Sequence, residues 1–433
     1  MEVKDAGKRL KNNTDSGNNK SYHMASKEGL VTRFKGGDLI LEDGRLVRED
    51  LWVRNGRILD PLHLFYEEKK KADVVVDCSG LLISPGFIDI QINGAFGVDF
   101  SSLTKDNVDS GLSRVSKGLV QHGVTAYVPT IVTSESDYYK RVLPLLTPRA
   151  GGRDGAAVLG VHCEGPFINI EKKGAHEQAF IQPSLSPALL QNVYGSQLDN
   201  VRLVTLAPEL EGGLETIAWL KERRNEKEIV VAIGHSMANL RQAEEAVRSG
   251  ASLITHLFNA MLPFHHRDPG IVGLLTSLKL EERSVYYGLI ADGLHTHETV
   301  QRIAYTAFPK GALLVTDALA AMGLPDGTHL LGTHTVEVKD GAARLTGTNT
   351  LAGSIASMDF CVRHFKDATG CSLGEAVVAA TLHPAQALGL EKERGTLSYR
   401  ARADLVILNS SLVVQATCIA GELVWCRQGS RFN

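Results

Sequence analysis

IVVAIGHSMANLRQAEEAVRSGASLITHLFNA, residues 229–260, reads as strand, helix, strand. The run 229–236 is apolar and β-branched without polar alternation, which marks a strand buried on both faces. Met237–Ser249 has helical spacing, with Leu240, Ala243 and Val247 on one face. Ser236 stands where an N-cap belongs, and Gly250 lies just past the end. A second apolar run, 251–260, follows at once. Two buried strands joined by an amphipathic crossover form the repeating unit of a parallel sheet.

The unit recurs on both sides. Further apolar runs lie at 81–92, 124–132, 156–165 and 201–209, and again at 284–293 and 312–320. Helical text separates most of them, as at Glu298–Phe308, where Val300, Ile303, Ala304 and Phe308 share a face. Eight such units over roughly 240 residues match a (β/α)8 barrel, an α/β fold. The alternative is a doubly wound sheet, and no Gly-x-Gly-x-x-Gly follows the first strand to support it.

The chain ends read differently. DLILEDGRLVREDLWVRNGRILD, from Asp38, alternates apolar and polar residues around turns at Asp43-Gly44 and Asn55-Gly56. ADLVILNSSLVVQATCIAGELVWCR, near the C-terminus, does the same around Ala420-Gly421. Hairpins alone are marginal, so the two ends are expected to complete one small β-sandwich. The expected organisation is a disordered tail over 1–36, a sandwich from 37–80 with 395–427, and a barrel over 81–394. The tail is rich in Lys, Asn, Ser and Gly without apolar periodicity.

Composition narrows the function. In 433 residues, 46 Lys and Arg against 49 Asp and Glu give a formal net charge of −3, which disfavours a nucleic-acid or anionic-membrane partner. No run of 18 apolar residues offers a membrane span. Six cysteines without a Cys-x-x-Cys pair argue against a thiolate zinc site or a disulfide scaffold. A basic N-terminus without an apolar signal core makes the cytoplasm the expected compartment.

Barrel chemistry stands at the C-terminal ends of the strands. Those ends carry Gln91 and Asn93, His162 and Glu164, His235, His256 and Asn259, Asp292 and His295, and Asp317. Buried charge is expensive unless it is paired or holds a metal. Glu164, His235 and His256 supply three ligands for a divalent ion and leave a fourth position open to water. Asp317 is then placed as base toward that water and acid toward the leaving group. Other histidines have plainer readings: His162 as packing or support, His265 and His266 as loop residues, and His297, with Asp292, as structural. Cys163 faces away from Glu164 and is expected in the core.

Long motifs carry a resemblance. PGFIDIQINGAFGVDF (85–100), HCEGPFINIEKKGAH (162–176), GHS (234–236), THLFNAM (255–261), HHRDPGIVG (265–273), IADGLHTH (290–297), VTDAL (315–319), LAGS (351–354) and HPAQALGL (383–390) occur in order. Over about 37–427 the chain resembles the amidohydrolase superfamily and, within it, the deacetylases of N-acetylglucosamine 6-phosphate. The resemblance implies release of acetate from that sugar phosphate by a homodimer with one divalent ion per chain. It places the ion on Glu164, His235 and His256 and makes Asp317 the acid/base. His176 would meet the acetyl oxygen or a nearby sugar hydroxyl. Asn259 and Ala260 would touch substrate, Arg267 and His295 would face the phosphate, and the loop Leu351, Ala352, Gly353, Ser354 would line the acetyl pocket. Zinc suits the ligand set best, although iron, cobalt or manganese would also bind.

Two departures stand out. Many superfamily members read His-x-His after PGFID, where this chain has Gln91-Ile92-Asn93. An amide is a poor ligand, so a second ion is expected to be absent or weak. Tyr399-Arg400 replaces a common Gly before the final strand. The rival readings are another acylated sugar such as N-acetylgalactosamine 6-phosphate, or a non-catalytic scaffold of the same fold.

Overall fold

The computed structural model describes residues 29–432 except 197, 223–228, 281–284, 332–333 and 348–350. Eight strands of a nine-stranded sheet form the barrel, the ninth, Ala157–Val158, pairing beside the second: β1 (Phe87–Ile92), β2 (Val124–Val132), β3 (Val161–Glu164), β4 (Val201–Leu206), β5 (Val230–Ile233), β6 (Leu253–Ile254), β7 (Tyr286–Ile290) and β8 (Ala312–Val315). They pair in that order, all parallel. The ring closes between β8 and β1 by other means. At the top, Asp317 N donates to Gln91 O at 2.9 Å. Lower down, Ala379 O and Ala380 O accept from Leu314 N and Ile88 N. A turn thus fills the gap between the two strands and satisfies their backbone groups.

Nearly every strand residue is buried, as the unbroken apolar runs require. Ile90, Val128, Leu203, Val230, Ala232 and Leu313 pack together in one cluster. Their alternates, such as Val204, Ile233, Ile254 and Leu314, join a second cluster with the helices. The helices include α1 (Val108–Leu119), α2 (Ser136–Val142), α3 (Pro187–Tyr194), α4 (Gly213–Glu222), α5 (Leu240–Ser249), α6 (Glu298–Ala307) and α7 (Met358–Thr369), and two short ones follow at Leu373–Val378 and Leu382–Ala387. A 3-10 segment, Gly270–Thr276, stands after β6 where a helix would be.

Several expectations need correction. The tail assigned to 1–36 overlaps a strand, Thr32–Lys35, which pairs with Leu51–Arg54 and Val74–Asp77. Val31 and Phe34 are fully buried there, and four residues are too few to show a period. Residues 1–28 lie outside the described residues. The run 81–92 is two strands, because Leu82–Pro85 joins a six-stranded sheet with Leu405–Leu408 and Asp38–Ile40. Helix α5 begins at Leu240, not Met237. Asn239 and Gln242 form its capping box, while Ser236 Oγ donates to Glu209 Oε2 at 2.6 Å. In α6, Gln301 and Ala304 are buried whereas Ile303 is exposed.

The two end sheets share a core that includes Phe34, Val53, Ile58, Ile83, Leu405 and Ile407. Their hairpins turn where expected: Asn55-Gly56 and Ala420-Gly421 have φ of 50° and 72°, and of 51° and 76°. That paired positive φ is the geometry that two-residue hairpins favour. Arg400 also takes a positive φ, 71°.

Gly86 separates the end sheet from β1. A Cβ there would lie 2.1 Å from Thr125 Oγ1. Gly86→Ala is therefore expected to destabilise the fold by about 1–3 kcal/mol, the usual range for overpacking. Urea unfolding measures it; an unchanged midpoint would show that the contact relaxes freely.

Candidate active site

Glu164 ends β3, while His235 and His256 stand just past β5 and β6. Their ligand atoms form a tight triangle. His235 Nε2 lies 3.1 Å and His256 Nε2 3.0 Å from Glu164 Oε1, and the two nitrogens are 3.0 Å apart. All three side chains are almost fully buried. His235 Nδ1 is 2.8 Å from Lys172 O. A carbonyl only accepts, so Nδ1 carries the proton and the Nε2 lone pair points inward. Burial works against charge on His256, but hydrogen bonding to Glu164 and the charge of that carboxylate raise its pKa to about 8.

The ends of other strands hold this triangle. Glu209 accepts from Met237 N at 2.6 Å and from Asn169 Nδ2 at 3.0 Å. Asn169 N donates to His235 O at 2.8 Å. His235, His256, Phe258, Ala260 and Asp317 all have positive φ, between 26° and 76°. Such conformations are costly for non-glycine residues and gather where a site dictates direction.

Asp317 follows β8. Burial, and then the charge of Glu164, push its carboxyl up to about 7. Asn93 Nδ2 donates to Asp317 Oδ1 at 2.8 Å. Gln91 Nε2 lies 3.2 Å from the same oxygen and 3.1 Å from Glu164 Oε2. The two amides thus act as donors between the carboxylates.

His176 joins the cluster: a ligand atom of its ring lies within 4.8 Å of those of Glu164 and His235. Its Nδ1 sits 2.7 Å from Thr133 Oγ1. Burial lowers its pKa to about 3, so the ring is neutral. His162 lies fully buried between Thr130 Oγ1 at 3.2 Å and Thr205 Oγ1 at 2.7 Å, a supporting position. Cys163 is fully buried in the core, as expected.

The rim is more open. Asn259 and Ala260 are half-buried, and Ala260 O accepts from Ser236 N at 3.1 Å. The 351–354 segment is not a loop throughout. Leu351–Gly353 is the last strand of a four-stranded antiparallel insertion that begins at Gly327. Ser354 O accepts from Leu319 N at 2.9 Å, which ties the segment to the Asp317 loop. His295 Nδ1 lies 2.6 Å from Asp292 Oδ2. Burial opposes charge on this imidazole, but that bond and the aspartate's charge outweigh it, so its pKa is raised. Arg267 is exposed and borders a surface depression with Asn239, Arg241, Asp268 and Lys279. Asp268 does not hold Arg267; its carboxylate caps Leu240 N and Gly270 N. The rings of His265 and His266 lie 4.3 Å apart and tilted by 40° in the same exposed loop, and His297 caps α6.

Reading only six strand ends passed over β2 and β4, which supply Thr133 and Glu209. Neither threonine nor a half-buried glutamate has a motif of its own, so only their place after a buried strand could have pointed to them.

The model of the amidohydrolase family matches residues 82–424, most of the chain. The chain belongs to the amidohydrolase family. Among its relatives in that family is the Homo sapiens N-acetylglucosamine-6-phosphate deacetylase, 56% identical over 90% of this chain and 95% of that one. The N-acetylgalactosamine-6-phosphate deacetylase of Escherichia coli O157:H7 is 33% identical over 89% and 97%. A solved structure of a variant of Mycobacterium smegmatis N-acetyl-D-glucosamine-6-phosphate deacetylase, in complex with N-acetyl-D-glucosamine-6-phosphate, matches with TM-score 0.76. It is 30% identical and covers 92% of this chain and 100% of that one. Enzymes of the amidohydrolase family are hydrolases that typically depend on a metal ion, and this chain is an enzyme with a candidate metal cluster.

The donor set suits a cation. Glu164 Oε1 and His235 Nε2 present lone pairs to one point, and His256 Nε2 meets them with either a third lone pair or a proton. Without a proton, three converging lone pairs repel unless a positive charge lies between them. One carboxylate and two imidazoles match a divalent transition ion.

Proposed function

We propose that the chain hydrolyses the acetamido group of N-acetyl-D-glucosamine 6-phosphate to acetate and D-glucosamine 6-phosphate. The observation that carries this chemistry is the convergence of Glu164, His235 and His256 beside a buried Asp317. The substrate is supported by the relatives' activities and by the sugar phosphate bound in the Mycobacterium smegmatis structure.

Glu164, His235 and His256 would hold one divalent ion, best matched by zinc, whose charge acidifies water and polarises a carbonyl. Asp317 takes a proton from the attacking water. Gln91 and Asn93 keep its carboxylate oriented and offset the repulsion from Glu164. As the amide carbon becomes tetrahedral, negative charge gathers on the acetyl oxygen, and His176 stabilises it as a hydrogen-bond donor. Asp317 then returns the proton to the departing amine. The Leu351–Ser354 segment borders the acetyl group, and Asn259 and Ala260 meet the sugar. A cytoplasmic setting agrees with six free cysteines, four of them buried.

Arg267 and His295 are assigned to the 6-phosphate. Asp292 raises the pKa of the His295 imidazole and so favours its cationic form, which suits an anionic ligand. A charge-assisted hydrogen bond of ~1.5–3 kcal/mol implies that Arg267→Ala loses about 10- to 150-fold in kcat/KM on the phosphorylated sugar. Hydrolysis of unphosphorylated N-acetylglucosamine stays almost unchanged. Acetate release from both sugars, with N-acetylgalactosamine 6-phosphate as a third substrate, tests the reading. Equal losses on the first two would remove Arg267 from the phosphate site, and a preference for the galacto epimer would change the assigned sugar.

A further inference from the structure

We infer that Thr133 is a positioning residue that fixes the tautomer of His176, so that this histidine offers a donor, and not a lone pair, to the reacting acetyl oxygen. The argument starts from one nitrogen. His176 Nδ1 lies 2.7 Å from Thr133 Oγ1 and accepts from Thr133 N at 3.3 Å. A backbone N–H can only donate, so Nδ1 must keep its lone pair. The neutral ring therefore carries its proton on Nε2, and the threonine hydroxyl donates to Nδ1 as well.

The surrounding loops are built around this contact. His176 is 8% and Thr133 4% exposed, so water cannot easily replace either partner. Gly165, the residue after Glu164, has φ of +78°, and a Cβ on it would lie 2.2 Å from Thr133 Oγ1. Glycine there leaves the hydroxyl its space. Tyr194 Oη donates to Gly165 O at 2.8 Å, and Tyr139 Oη lies 3.1 Å from both Gly165 O and Val132 O. Two buried tyrosines thus hold the peptides on either side of the Thr133–His176 pair.

The tautomer decides a chemical question. With Nδ1–H, the Nε2 of His176 would be a lone pair, fit to act as a ligand. With Nε2–H it is a donor, excluded from coordination and suited to an oxyanion. Which oxygen it serves rests on the deacetylase reading; the tautomer itself does not.

The test uses zinc-loaded full-length enzyme labelled with 15N in histidine. Two-bond 15N–1H spectra distinguish the neutral tautomers, and His176→Gln identifies the signal. Wild type is expected to show Nε2–H. Thr133→Val removes the 2.7 Å hydroxyl donor and leaves Nδ1 only the longer 3.3 Å backbone donor, so it is expected to loosen the preference and populate Nδ1–H in part. Its kcat on N-acetylglucosamine 6-phosphate should fall about 2- to 13-fold, the scale of one hydrogen bond, with little change in KM. Thr133→Ser should restore both. Nδ1–H in wild type overturns the inference, even if the valine variant fails to fold. So does a valine variant with an unchanged tautomer and kcat, or a serine variant that restores neither. Wild type that shows Nε2–H but releases no acetate would instead refute the deacetylase reading and leave the tautomer assignment standing.

Discussion

Asp317→Asn keeps its fold and its metal and loses turnover by about 10²–10⁴-fold, the usual weight of general acid–base catalysis. Burial and the charge of Glu164 hold the Asp317 carboxyl near 7 before any cation is present. A nearby cation would lower that value, because it favours the carboxylate. The base must be ionised, so kcat/KM should fall as pH drops through the Asp317 pKa, below about 7. An asparagine cannot take the proton, so the variant should also lose that acidic limb. Its amide oxygen can still accept from Asn93 and Gln91, which is why the fold survives. Metal analysis and a pH–rate profile check this. Near-normal turnover in a metal-loaded variant would assign the base to another group.

His256→Ala is expected to lose metal and activity together. It removes one corner of a triangle whose sides are 3.0–3.1 Å and leaves Glu164 with His235 alone. Losing an outer partner of a ligand commonly weakens affinity 10- to 100-fold, and losing the ligand itself should exceed that. Excess zinc should restore part of the activity of this variant and none in Asp317→Asn. Full metal content in purified His256→Ala would remove His256 from the ligand set.

The residues that could be read from sequence are those whose burial is anomalous. Glu164, His235 and Asp317 stand out because each follows an apolar run that offers no other reason for a charge. The barrel was legible for the same reason: eight apolar runs with helical text between most of them admit few arrangements. What could not be read is contact across the ring. Gln91 was visible only as a missing ligand; that its amide joins Glu164 to Asp317 depends on a bond between residues 226 apart. The Thr133–His176 pair is likewise local in space and remote in sequence. The positive φ values at His235 and His256 follow from where those side chains must point, and no glycine announces them. The four-stranded insertion after β8 carries mixed polar and apolar text, as in HTVEVK, and so lacks the unbroken apolar runs that mark the barrel strands.

The most direct test is acetate release from N-acetylglucosamine 6-phosphate as zinc is added back to chelated enzyme, with bound metal measured in each sample. Because Gln91 and Asn93 are amide donors to Asp317 and offer no imidazole to a second ion, activity should rise linearly and reach its maximum at one ion per chain. Activity that stays low until two ions are bound, or that is full with none, would contradict the account.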